Sequence, residues 1–136
     1  MDGTIITFNG SALATGTYVN GFNNKGAMTG FFIDTIGWHG FVRQGNSITE
    51  FDVDGSTLTE GTGINDGGTV AGIYVDTSNV NHGFTRDRFG NVTLFDVPYA
   101  GTGANQGTIS TSINATGQVA GYFIGPLGNF HGFVRR

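Results

Sequence analysis

The chain has 136 residues, 25 of them glycine and 2 proline, with 38% hydrophobic and only 12% charged residues and a net charge of −4. Its 12 phenylalanines and apolar content exclude a disordered chain, which buries too little surface to offset its ordering entropy. Its acidic balance excludes the basic footprint of a nucleic-acid binder. With no cysteine there is no disulfide, thiolate metal site or cysteine nucleophile.

In chain order, the amino terminus Met1-Asp2-Gly3 lacks the basic and apolar regions of a signal peptide. No later run reaches the roughly 18 apolar residues of a spanning helix, so no membrane partner is expected. Ile5-Ile6-Thr7-Phe8-Asn9 follows and reads as a strand. Four runs rich in β-branched and aromatic residues come next, at 17–23, 27–33, 38–43 and 47–53, separated by Gly, Asn and Asp. The order strand A, B, C, D then recurs. His-Gly-Phe stands at His39, His82 and His131, spaced by 43 and 49, each followed by Arg43, Arg86 or Arg135. Upstream lie Met28-Thr29-Gly30, Val70-Ala71-Gly72 and Val119-Ala120-Gly121, each after an Asn-led turn. Downstream lie Phe51-Asp52-Val53 and Phe95-Asp96-Val97, which Phe8-Asn9 matches at the amino terminus.

A repeat of about 43 residues holding four short strands is blade-sized and too long for leucine-rich repeats. The B segments are apolar on both parities, as in Val119, Tyr122, Phe123 and Ile124, which predicts sheets covered on both faces. The expected fold is therefore all-β, a β-propeller with three four-stranded blades per chain. Residues 1–9 form an outer strand closing a blade, 10–53 blade 1, 54–98 blade 2, and 99–136 blade 3 without its outer strand. An arc of three blades leaves two apolar faces and an unpaired edge. Self-association is the expected remedy: a homodimer with six blades, or a homotrimer with nine, in which residues 3–9 of one copy lie beside residues 131–135 of the next.

The unit Ile-Asn-x-x-Gly-x-Val-Ala-Gly-x-Tyr, His-Gly-Phe-x-Arg, Phe-Asp-Val-Pro is most complete at Ile64-Asn65, Val70 to Tyr74, His82 to Arg86 and Phe95 to Pro98. It resembles the HAF-type extracellular repeat found in tandem in bacterial secreted proteins. The first copy departs from it at Met28-Thr29-Gly30, and Asn9 stands where other copies have Asp. The resemblance implies an exported, repeat-built β-protein, outside the cell or on its surface.

Three histidines could bind zinc, but one per blade cannot gather within about 2.1 Å of a single ion. His39, His82, His131, Arg43, Arg86, Arg135, Asp52 and Asp96 are therefore read as a structural signature, with histidine bonded to the Asp of the neighbouring strand or to a turn carbonyl. The glycine clusters at 61–67 and 101–107 lack phosphate-loop spacing, and Asp52-x-Asp54-Gly55 lacks the later Glu of a calcium loop. No G-x-S-x-G elbow exists. No catalytic residue, metal or cofactor is expected.

Positions that vary between units point to ligand binding, because structural residues repeat and a site need not. Trp38, Asn81 and Phe130 precede the three histidines, where loop aromatics on a rigid scaffold suit a ligand such as a sugar. The expected role is a non-catalytic, lectin-like binding or interaction scaffold with a glycan or protein ligand. Two alternatives are a hydrolase with acids on a channel or rim, and a truncated or engineered propeller segment without a ligand.

Overall fold

The computed structural model describes residues 2–136, in which eleven strands form one sheet and no helix occurs. The first unit is β1 (Gly16–Phe22), β2 (Ala27–Ile33), β3 (Trp38–Gln44) and β4 (Ser47–Phe51). The second is β5 (Leu58–Ile64), β6 (Val70–Val75), β7 (Asn81–Arg86) and β8 (Val92–Phe95). The third is β9 (Gly107–Ile113), β10 (Val119–Ile124) and β11 (Phe130–Arg135). Within each unit successive strands pair antiparallel. Single parallel bridges, Trp38 to Leu58 and Asn81 to Gly107, join one unit to the next. The sheet is open, with β1 and β11 at the two ends of its path and β4 and β8 as outer strands.

Local chemistry sets the strand ends. The Asn23 side chain accepts the amides of Lys25 and Ala27 at 3.0 and 2.9 Å, so β1 stops at Phe22 rather than at the expected residue 23. Asn65 and Asn114 make the same turn, in which the asparagine side chain replaces a backbone acceptor. The fourth strand, expected to reach 53, ends at Phe51 because the Val53 amide turns to the Thr59 hydroxyl at 3.0 Å.

The expected outer strand at the amino terminus does not form: residues 2–14 pair with no strand. The physical reason is a missing ladder partner. β4 and β8 each follow by a tight hairpin the strand they pair with, and the described residues 2–4 form no such strand. The segment nevertheless lies where β4 and β8 lie with respect to the next unit. The Phe8 ring stands edge-on to Phe41 at 5.9 Å with the Arg43 guanidinium 4.5 Å above it. The same joint recurs as Phe51, Phe84 and Arg86 and as Phe95, Phe133 and Arg135. Gly10 donates its amide to Thr17, as Val53 does to Thr59 and Val97 to Thr108.

The core lies between units. Ala27, Phe51, Val53, Ile64, Val70 and Phe84 form one buried cluster spanning the first two. β2 is buried on both faces, whereas β10 is mostly half-buried with Tyr122 exposed, because no further unit among the described residues covers it. The first strands of the units converge: a Cβ added to Gly21 would stand 2.8 Å from the Gly63 Cα, and one added to Gly63 would stand 3.4 Å from the Ser112 Cα. A ladder of asparagines also crosses the units. Asn23 Nδ2 donates to the Asn65 carbonyl at 2.8 Å, and Asn65 Nδ2 donates to the Asn114 carbonyl at 3.1 Å.

Candidate functional site

The repeated histidines sit at the second residue of β3 and β7, and hairpin pairing brings the Asp after the outer strand beside each. His39 Nδ1 contacts Asp52 Oδ2 at 2.9 Å, and its Nε2 contacts Asp34 at 3.3 Å. His82 repeats this with Asp96 at 3.0 Å and Asp76 at 3.3 Å. At His39, where a carboxylate stands at each ring nitrogen, the doubly protonated imidazolium satisfies both contacts. His131 is different: Gly125 stands where the others have Asp, no outer strand adjoins it, and its Nε2 lies against the Asn129 amide.

Burial works against a charged His39, but the Asp52 hydrogen bond and charge, with Asp34 behind them, outweigh it and hold its pKa above the ordinary 6.5. Glu50 stands 3.6 Å from the same ring. A folded pKa raised above the unfolded one adds stability that is complete below the unfolded value and lost as pH rises through the folded value. The gap in unfolding free energy between the native chain and His39→Gln should therefore be wider near about pH 5.5 than near about pH 8.5. Urea titrations at the two pH values check this, and a gap that widens with pH would contradict it. His39, Glu50 and Asp52 also place their ligand atoms within 4.8 Å of one another. Within that cluster His39 bonds Asp52 at 2.9 Å.

A cavity of about 530 Å³ opens beside this pair, lined by Trp38, His39, Asp52, Asp54, Ser56 and Thr57 among others. Trp38 is 39% exposed, and its indole is stacked on Phe31 at 4.8 Å, which in turn stacks on Tyr18 at 4.7 Å. The ring is thus held by a column of aromatics. Asp52 bonds His39 through Oδ2 alone.

The three positions expected to bind ligand do not line one cavity. Asn81 is half-buried and spends its amide on the Gln106 carbonyl at 2.9 Å, as the parallel bridge to Gly107 dictates. Phe130 is exposed beside Tyr122, with ring centres 5.7 Å apart. The cavity beside Trp38 includes neither. Sequence reading missed Asp54, Ser56 and Thr57 as companions of Trp38. The signal was their position one hairpin downstream, since the bridge from Trp38 to Leu58 brings the end of that loop back to the indole. The arginines of the signature sit over phenylalanine rings, in the joints described above.

No known protein family matches the chain, and no curated protein matches it.

Proposed function

We propose that this chain is a non-catalytic binding module built as a propeller arc, and that the cavity beside Trp38 takes a carbohydrate. Three meander units with converging first strands support the propeller arrangement. The HAF-type resemblance of the repeated motifs agrees with an extracellular scaffold of this kind.

One observation carries the ligand class: a rigidly backed, partly exposed indole shares a cavity with two carboxylates and two hydroxyls. A sugar ring presents an apolar C–H face, which an aromatic ring covers. It also presents a rim of hydroxyls, which carboxylate and hydroxyl oxygens bond. Glycosidic hydrolysis asks for something else, a carboxylic acid held protonated next to a second carboxylate. The carboxyl that burial pushes upward is Glu60, on β5 and bonded to Asn20, and it lies outside this cavity.

An oligosaccharide array tests the reading. Retention of at least one glycan is expected, weakened roughly tenfold or more by Trp38→Ala, which corresponds to about 1.4 kcal/mol. Failure to retain any glycan overturns it, and turnover of an oligosaccharide favours the hydrolase instead.

A further inference from the structure

We propose that the free outer edge of β11 takes residues 5–9 of a second copy of this chain, so that two copies exchange these segments and close a ring of six units. The exchange rests on strand geometry alone, and only the count of six units rests on the propeller reading.

The edge is shaped for this segment. In the first unit the outer strand aligns Phe51 with Gly40, Thr49 with Val42 and Ile48 with Arg43. In the second, Phe95 aligns with Gly83 and Thr93 with Thr85. The same register on β11 sets Phe8 opposite Gly132, Ile6 opposite Val134 and Ile5 opposite Arg135. The glycine of His-Gly-Phe has a physical reason in this pairing: a Cβ on Gly40 would stand 2.5 Å from the Phe51 ring, and one on Gly83 would stand 2.6 Å from the Phe95 ring. At Gly132 the nearest atom to such a Cβ is a backbone oxygen 3.9 Å away. The space that holds a phenylalanine ring twice in the chain is open there.

Five further groups are left over at the two ends. Ile5, Ile6 and Val134 are 87%, 74% and 62% exposed, and an exposed edge with apolar side chains is a template for strand addition. Asn114 Nδ2, lacking a further unit, turns back to Gln118 at 2.8 Å. Asn23 is the only ladder member whose carbonyl, among the described residues, accepts no asparagine side chain. In the exchanged pair Asn114 would donate to that carbonyl. Asn9 would face His131 as Asp52 faces His39, with a neutral amide oxygen in place of a carboxylate. Phe8 already occupies its half of the joint, on Phe41 and under Arg43. Head-to-tail contacts of this kind close when the rotation allows.

Light scattering after size exclusion should give about 28 kDa, twice the 14.2 kDa chain. Gly132→Leu should return the mass to that of one chain with an unchanged far-ultraviolet spectrum, because the added side chain meets open space until a partner's Phe8 arrives. A double variant on the donor segment, Ile5→Asp with Ile6→Asp, should do the same. A monomeric native chain overturns the proposal, as does an oligomer whose mass Gly132→Leu leaves unchanged.

Discussion

Replacing Gly72 with valine is expected to abolish the folded state. Gly72 is buried in the middle of β6, where an added Cβ would overlap both the Phe84 ring and the Glu60 carbonyl oxygen. Neither can move cheaply: Phe84 is fully buried, and Glu60 belongs to β5, whose ladder pairs Gly61 with Gly72 itself. Overpacking a core costs about 1–3 kcal/mol where neighbours can shift, and more where they cannot. A small domain holds only about 5–15 kcal/mol in total. Loss of the cooperative urea transition is the expected reading. Gly132→Leu is the control, since an aliphatic side chain added at an open site leaves the transition in place. A Gly72→Val protein with a near-native midpoint would contradict the packing described.

Phe84→Ala should cost about 3–5 kcal/mol, the usual loss when a buried aromatic is truncated in a core that collapses only partly. Phe84 fills the joint between the first two units, edge-on to Phe51 with ring centres 5.9 Å apart. It also covers the space over Gly72. Collapse is resisted from both sides, because Val70, Ile64 and Ala27 in the same cluster are held by strand ladders. The urea midpoint should fall with little change in slope. A cost below about 1.5 kcal/mol would mean that the joint can repack and is not a main source of stability.

Repetition made most of the strand pattern legible. Strand type and order could be read because each unit restates the same turn asparagine, the same B-strand glycine and the same His-Gly-Phe, so that a weak local signal was seen three times. The second strand was placed at its observed bounds, Ala27–Ile33, since a turn and an aspartate flank an apolar run. The ends of β1 and β4 were misplaced because side-chain acceptors, Asn23 and the Thr59 hydroxyl, capture the backbone there. Propensity carries no trace of such captures.

The amino-terminal segment shows the limit most clearly. Ile5 to Phe8 has the composition of β4 and β8 and keeps their contacts to the next unit, yet it forms no ladder, because pairing depends on a neighbouring strand and not on its own sequence. The inter-unit asparagine ladder was hidden for a similar reason. Asn23, Asn65 and Asn114 each read as a turn residue, and nothing in one unit says that the side-chain amide reaches across to the next. The candidate site was legible only in part. Trp38 stood out as the one tryptophan, and its cavity includes neither Asn81 nor Phe130. Its companions in the cavity come instead from the loop that links β4 to β5.

The joints between units are the frame on which both the cavity and the partner surface depend. The proposed exchange has the outer edge of β11 take the amino-terminal segment of a second copy as β3 takes β4 and β7 takes β8. The native chain has no cysteine, so paired cysteines report on it cleanly. Val42→Cys with Thr49→Cys, a cross-strand pair within the first unit, calibrates the geometry by closing inside one chain. Ile6→Cys with Val134→Cys should close between chains under mild oxidation, giving a covalent dimer near about 28 kDa on a non-reducing gel that reverts with reductant, twice the 14.2 kDa chain. A chain that stays at its single mass while the calibrating pair closes would contradict the claim.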